Sequence, residues 1–574
     1  MGKISNIRVP NLVPKEFNIL FLAEAPSEVE ELNRQPFTGP AGDMLMSELN
    51  RNGVYREQVA LCNLSQYKPQ YNNFENLFNS YELTSGQNEI TQIIEDTQPN
   101  LIVPLGSHAL EFITDFKAIS KYRGSILTGH PLCSKVIPTY HPSYIVRSPE
   151  HYPEFSKDIE RIIQESKSPD LNLTPRNYYI PPGQNILQIA LEMLEAKILA
   201  VDIETVKNTS QILCVQFADS PNRAICLPWT SQYQSLIIQL LTCPADKIFQ
   251  NGIFDVPQLH LNGVEVVNYK HDTLLMHFAL EPELPRSLEY LTSIYTREPY
   301  YKDTGRGEIP DDTKVWSDKV DKNKLYVYGC KDAAVTFEIY EKLWAELLGD
   351  SIAMNVYLDR LDSQDTAMHI TNTGGLIDLE KLEYFKRALT YKWDKLQFAL
   401  NVIAVTQKFQ VPKKGLNVNS KTVVPKFLYD TLKLPTRRTR DGKITTDEDA
   451  IVSLITFCEN KINESKKEDT KSNWKFKQEA CKLILEIRGI RKLLSSYINI
   501  TISPDGRARS SIRVGATETG RWAASKYVDG SGLNSMTLPR DAITLSDVIP
   551  ENFDPFTMLD QLKEDEDVDS TSMG

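Results

Sequence analysis

The chain has 574 residues, 64 Lys and Arg against 76 Asp and Glu, a formal net charge of −12 and 41% hydrophobic content. That length allows three or more domains, each with its own core. No apolar run approaches the ~20 residues of a membrane span. The start, MGKISNIRVPNLVPKEF, lacks the apolar stretch of a secretory leader, so a cytoplasmic protein with no membrane partner is expected.

The eight cysteines are scattered without any C-x-x-C pair, which excludes a disulfide framework and a structural zinc. From residue 15 to 165, short apolar runs alternate with helical patterns. FNILFLAEAP, EQVALCNLS, PNLIVPLGS and SKVIPTYHPS each read as a buried strand ending in a turn. Strands alternating with helices predict a parallel α/β sheet, with functional residues at the C-terminal strand ends. Residues 166–195 open with SKSPDLNLTPRNYYIPPGQN, rich in Pro and Asn, and read as a linker. KILAVDIET then predicts a strand, and QILCVQFAD and RAICLPW a following meander, in a domain spanning 196–349. From 350 to 540 the pattern is mainly helical, with NWKFKQEACKLILEIRGIRKLLSSYI a long amphipathic helix. Residues 541–574 end in an acidic run and are expected to be disordered.

The most telling residues are acidic. Asp202 and Glu204 share VDIET, Asp255 closes QNGIFD, and Tyr328 and Asp332 share YGCKD. Hard divalent cations want oxygen ligands. Two of them roughly 4 Å apart can hold both the attacking and the leaving oxygen of a phosphodiester. Tyr328 and Asp332 are four residues apart, so on a helix they share a face. The whole set resembles the proofreading 3′–5′ exonucleases, with a ribonuclease-H-like fold. The resemblance implies that Asp202, Glu204, Asp255 and Asp332 bind two divalent ions, Mg2+ or Mn2+, and that Tyr328 orients water. Asn251 matches a helper in the same motif. Asp272 in HDT reads as a helix cap.

FLAEAPSEVEELNRQPFTGPAGDML, Cys62-Asn63-Leu64, PLGSHAL and Tyr140-His141-Pro142-Ser143-Tyr144 follow one another in the order of a second family. A domain at 1–165 is expected, and about residues 10–165 of it resemble uracil-DNA glycosylases of the family-four type, an α/β/α sandwich. An enzyme of that kind flips a base into a pocket and reads its edge. The resemblance implies Asn63 as the base reader, Phe37 as the stacking ring, Glu24 as the carboxylate beside the sugar and His141 as the donor to the leaving base. Ala23 and Ser27 stand where the family has glycine. The family's four cluster cysteines are missing, because Cys62 and Cys133 alone fall in this stretch, so no iron–sulfur cluster is expected.

Residues 350–540 resemble the start of family A DNA polymerases. LNVNSKTVVPKFLYDTLKLPTRRTRDGKITTDEDAI is similar to their thumb, and Arg513 to Trp522 to their Thr-Gly-Arg motif. Arg513 and Arg521 are candidates for phosphate contact. Nothing after Arg540 matches the palm and fingers. The resemblance implies either a truncated chain or a second polypeptide that carries those parts, as a phage in a bacterial cytoplasm could encode.

The fold class expected is therefore α/β and multidomain, with a mainly helical partial polymerase region. The function expected is that of a DNA replication and repair protein with 3′–5′ exonuclease and uracil-excising activity. A uracil sensor without excision, or a structural clamp subunit, stays open as an alternative. Basic clusters at Lys413-Lys414 and Arg437-Arg438-Thr439-Arg440 offset the net acidity locally. DNA affinity, measured by fluorescence anisotropy, is expected to fall about tenfold or more between roughly 50 and 200 mM salt. A flat response would mean that these patches do not track the phosphate backbone.

Overall fold

A computed structural model describes residues 4–127, 135–183, 185–207, 209–303, 321–439 and 441–538. The expectations placed on Cys133, Arg440, Arg540 and the tail 541–574 lie outside the described residues. The chain divides into two compact units. One comprises Met1–Met368 with Arg513–Ala523, and the other His369–Ile512 with Ala524–Gly574.

The first unit begins with three strands, β1 (Ile19–Ala23), β2 (Val59–Asn63) and β3 (Leu101–Pro104), in parallel order β2-β1-β3. All three are buried along their whole length. A strand covered on both faces reads as an unbroken apolar run, which is why ILFLA and LIVP are legible. The fourth expected strand appears as parallel bridges from Val136 to Ile102 and from Thr139 to Leu105. Helices α1 (Glu28–Asn33), α2 (Pro40–Arg51), α3 (Tyr81–Thr97), α4 (Ser107–Thr114), α5 (Ile119–Tyr122), α6 (Pro142–Arg147) and α7 (Tyr152–Glu165) complete this part.

A six-stranded sheet follows in the order β4-β7-β6-β5-β8-β9. Its strands are β4 (Asn177–Tyr179), β5 (Ile198–Thr205), β6 (Ile212–Ser220), β7 (Arg223–Pro228), β8 (Asp246–Phe249) and β9 (Tyr269–Asp272). The antiparallel β5-β6-β7 meander is the one read from the sequence. The stretch read as a linker is different. It holds β4, which pairs with β7, and a helix α8 (Ile186–Met193) whose Ile186, Ile189, Ala190 and Met193 join the core under the sheet. Three aromatic or branched residues between Asn and Pro make too short a run to register as a strand. The helices here are α9 (Gln234–Thr242), α10 (Asp255–Leu261), α11 (Thr273–Leu280), α12 (Leu288–Tyr295), α13 (Lys322–Gly349) and α14 (Ser351–Thr373). A Cβ at Gly329 would lie 2.4 Å from the Gln216 amide, so the glycine lets α13 settle directly on β6.

The two α/β parts of this unit meet through cationic side chains of the first part, one of them anchored within that part by a buried ion pair. Arg123 donates from Nε to Asp158 Oδ2 at 2.8 Å, pairs through Nη2 with Oδ1, and lies 4.7 Å from the Tyr290 ring centroid. Arg161 donates to the carbonyls of Ile294 and Thr296 at 2.8 and 2.5 Å, and Lys157 pairs with Glu281 at 3.1 Å.

The second unit is mainly helical. It contains α15 (Leu379–Thr406), α16 (Glu448–Glu464) and α17 (Glu468–Leu493), with short strands β10 (Gly375–Leu376) and β11 (Arg507–Ala508) paired antiparallel. The long helix read from Asn473 starts five residues earlier, at Glu468, where Glu468 and Asp469 favour the helix N-terminus. The strands β12 (Ser510–Arg513) and β13 (Ala523–Lys526) form a further two-stranded sheet. No helix among the described residues is long and apolar enough to cross a membrane.

Asp158→Ala would leave the Arg123 guanidinium, 4% exposed, buried without its partner. A loss of about 3–5 kcal/mol is expected for the first unit, seen as a lower urea midpoint. An unchanged midpoint would mean that the Arg123–Asp158 pair does not support the fold of the first unit.

Candidate active sites

The first site lies where the parallel strands end. Glu24 follows β1, Asn63 ends β2, and His141 follows the Thr139 bridge and caps α6. With Phe37, Gly42, Phe74 and Arg147 they line a cavity of about 540 Å3. All four residues expected here from the sequence come together.

Asn63 is held by its backbone. Its N–H donates to Asn11 Oδ1 at 3.0 Å and its carbonyl accepts from Gln66 Nε2 at 2.9 Å. Its side chain is 1% exposed, and neither Nδ2 nor Oδ1 has a partner among the described residues. An unmet buried amide costs roughly 1–3 kcal/mol, so this donor and acceptor are kept for something that enters the cavity.

Phe37 is buried with φ of 54°, the left-handed region that costs a bulky residue energy. Glu30 holds it there by accepting from its N–H, while its carbonyl accepts from Arg56 Nη1 at 3.0 Å. A Cβ on Gly42 would sit 2.2 Å from the Phe37 carbonyl, so only glycine fits. Ser27, a departure from the family pattern, caps α1 in a reciprocal box with Glu30. The Ser27 backbone N–H donates to the Glu30 carboxylate at 2.7 Å, and the same carboxylate seats Phe37.

His141 Nδ1 accepts from the Ser143 N–H at 3.1 Å. Burial lowers its pKa to about 4, and Arg147 adds to the shift. The ring is therefore neutral at pH 7, with its proton on Nε2. Burial raises the pKa of Glu24, against the opposing pull of His108 and Arg147. Gly106, with φ of 88°, was not singled out in the sequence. A Cβ there would lie 3.3 Å from His141 Cβ and 3.5 Å from Glu24 Oε1, so its bare backbone keeps the space between acid and imidazole open. Cys62 is buried within β2 and its thiol is raised by burial, an environment that disfavours a thiolate ligand.

The second site is built on β5, inside the six-stranded sheet. Asp202 and Glu204 alternate with Ile203, so both carboxylates leave the same face. Asp332 reaches them from α13, and ligand oxygens of Asp202, Glu204 and Asp332 lie within 4.8 Å of one another. A donor set made wholly of oxygen suits a hard divalent cation. Burial raises Asp202 and Glu204 well above the usual carboxylate range, with Asp332 adding its repulsion to each. Such a cluster can hold a cation that relieves this cost.

Asp255, at the start of α10, is not one of that trio. It accepts from the backbone N–H of Ile203, and burial pushes its pKa up to about 8. Tyr328 is buried one helical turn before Asp332 on α13. Asp272 caps α11 and accepts from Leu274, Asn251 and Gly252 at 2.9, 3.1 and 3.0 Å.

Sequence reasoning missed Tyr301 and Lys302. Lys302 Nζ lies 2.6 Å from Asp332 Oδ1 and 3.4 Å from the Tyr328 hydroxyl, and Tyr301 donates to the same Asp332 oxygen. Neither belongs to a motif, and they stand some thirty residues ahead of Asp332 in the chain, so only the fold brings them in.

Arg513 ends β12 and Arg521 lies on the loop that follows, and both are exposed. That loop packs on α11, where a Cβ on Gly515 would touch the Phe278 ring at 3.4 Å, and Arg286, just before α12, donates to the Gly515 carbonyl. A cavity of about 950 Å3 runs between Arg513, Arg286, Asn251 and Glu154.

Because Asp202 and Glu204 protonate more readily in the folded state, stability falls as pH rises through their raised values. Asp202→Asn is expected to raise the melting temperature at pH 8 by about 2–4 °C, on the order of 1 kcal/mol. Mn2+ should stabilise the unaltered protein more at pH 8 than at pH 6 and lose that effect in Asp202→Asn. Equal metal stabilisation of both proteins would place the cation elsewhere.

Comparison with known proteins gives two domain matches. Residues 10–166 match the uracil DNA glycosylase superfamily, and residues 180–348 match a 3′–5′ exonuclease family. The type-4 uracil-DNA glycosylase of Thermotoga maritima is 34% identical over 151 residues, covering 26% of this chain and 72% of that protein. A DNA polymerase of Bacillus phage SP01 is 21% identical over 601 aligned positions, covering 89% of this chain. The chain spans 62% of that polymerase's length. Among solved structures, the POL domain of Pol1 from M. smegmatis, in complex with DNA primer-template and dNTP, aligns with a TM-score of 0.44 and 16% identity over 66% of this chain and 59% of that one.

Proposed function

Since the chain belongs to the uracil-DNA glycosylase superfamily through residues 10–166 and carries a 3′–5′ exonuclease domain at 180–348, we propose that it is a DNA replication and repair enzyme that excises uracil and degrades DNA from the 3′ end. The observation that carries the first activity is the buried, unpartnered Asn63 amide facing a cavity shared with Glu24 and His141. A flipped uracil offers the complementary acceptor and donor on its edge.

In this reading Phe37 packs against the base. The bond between uracil N1 and the sugar C1′ breaks, and its electron pair leaves on uracil. His141, neutral and protonated at Nε2, donates a hydrogen bond to the oxygen that gathers this charge. Glu24 faces the sugar, where it steadies the positive charge and directs water to C1′. The water adds to C1′ as hydroxide and its proton ends on the departed uracil, so the products are free uracil and an abasic site, and no metal takes part.

For the exonuclease, Asp202, Glu204 and Asp332 would hold a divalent ion, and Asp255 would complete the set for a second one. The ions supply charge stabilisation for the attacking and leaving oxygens. Tyr328 orients the water that attacks the terminal phosphodiester, and the 3′ nucleotide leaves as the monophosphate. Arg513 and Arg521 contact the phosphate backbone. The relative from phage SP01 supports a polymerase setting for both activities.

The test is a 5′-labelled single strand with one internal uracil, incubated in EDTA and then treated with alkali. A break at the uracil position is expected, reduced by about 100-fold or more in Asn63→Ala through the loss of paired recognition. Magnesium should add a ladder of 3′ degradation that Asp202→Ala abolishes. Uracil-dependent binding without any alkali-sensitive break would make the first domain a sensor.

A further inference from the structure

Tyr300 to Asp303 form a short bridge between the two α/β parts of the first unit. On one side, Lys302 and Tyr301 meet Asp332 in the carboxylate site. On the other, Asp303 is held by α5 of the glycosylase part. Lys121 Nζ pairs with Asp303 Oδ1 at 2.5 Å and the Tyr122 hydroxyl donates to Asp303 Oδ2 at 3.1 Å. The Tyr122 and Tyr300 rings meet edge to face at 4.8 Å, and the Lys121 ammonium lies 5.6 Å from both. Lys302 is 3% exposed and stands 5.0 Å from the ring centroids of Tyr301 and Tyr328.

We propose that Lys302 is a positioning residue of the exonuclease site, and that the glycosylase domain sets its place through Lys121, Tyr122 and Asp303. The proposal rests on the exonuclease reading above. Of four adjacent residues the outer two, Tyr300 and Asp303, are anchored on the glycosylase part and the inner two on Asp332, so the clamp on Asp303 fixes where the neighbouring ammonium can stand. At 2.6 Å from Asp332 and 3.4 Å from the Tyr328 hydroxyl, the ammonium ties the ligand and the water-orienting phenol into one geometry. It also competes with any cation for the Asp332 oxygen, since like charges that share a ligand repel. Removing it therefore has two opposite effects. The metal binds more tightly, and the reaction slows because Asp332 and Tyr328 lose their common anchor. A residue that serves only to hold the fold would not tighten a metal.

The test uses the full chain. Mn2+ affinity is measured by titration calorimetry, and kcat and KM are measured on single-stranded DNA in magnesium. Lys302→Ala is expected to bind Mn2+ three- to tenfold more tightly and to lose ten- to a hundredfold in kcat with KM within twofold. Lys302→Arg should restore the metal affinity and part of kcat. Tyr122→Phe combined with Lys121→Ala, both outside the uracil cavity, should shift both quantities in the same directions by threefold or more while uracil excision stays unchanged. Unaltered Mn2+ affinity and kcat in Lys302→Ala would overturn the positioning role. A wild-type response in the Tyr122 and Lys121 variant would overturn the clamp. An unaltered chain without 3′ degradation would overturn the exonuclease reading instead, and the Mn2+ affinities would still decide whether Lys302 stands over the site.

Discussion

Buried like charge is the constraint around which the first unit is arranged. Asp202 and Glu204 project from one face of β5, Asp332 faces them from α13, and burial with mutual repulsion disfavours their charged forms. A fold that keeps such a group must answer it with positive charge. Here the chain answers with Lys302, which is itself buried. The close seating of α13 on β6, made possible by Gly329, is what brings Asp332 within reach. Sheet, helix and lysine thus meet at a point where the protein by itself is electrostatically incomplete.

The other cavity is incomplete in a different way. Its want is of hydrogen-bond partners and not of charge. Asn63 has its backbone fixed on both sides and its amide left unmet, while His141 is held neutral with one nitrogen already used. Much of the surrounding structure, from the Ser27–Glu30 capping box to the glycine at 42, serves to seat one aromatic ring at an unfavourable φ. Strain of this kind persists where neighbouring groups over-determine it. The two sites therefore differ in the ligand that would relieve them: a cation for one, a planar base edge for the other.

Continuous apolar strands and period-two carboxylates are local patterns, so β1, β2, β3 and the Asp202–Glu204 pair could be read directly from the chain. The Tyr328–Asp332 spacing was legible for the same reason, since four residues make one helical turn. What stayed hidden depends on contacts between distant segments. Lys302 carries no motif and gains meaning only when β5 and α13 converge on it. Gly106 looks like any turn glycine until Glu24 and His141 close on it from two other strand ends. The edge strand β4 was lost among prolines because three residues cannot show a period. Separation along the chain, more than chemistry, marks the boundary of what could be inferred.

The loop that carries Arg513 and Arg521 folds with the first unit, although about 145 residues of the second separate it from Met368. Its Gly515 carbonyl satisfies Arg286, and the loop covers Phe278. The consequence concerns the order of assembly on the ribosome. Domains generally fold as they emerge, at roughly 5–20 residues per second. The exonuclease part reaches its final surface only after the helical unit has been made. During that interval Phe278 lacks the loop that covers it and Arg286 lacks its carbonyl partner, so nascent chains halted before residue 513 would present an apolar ring that the finished protein buries.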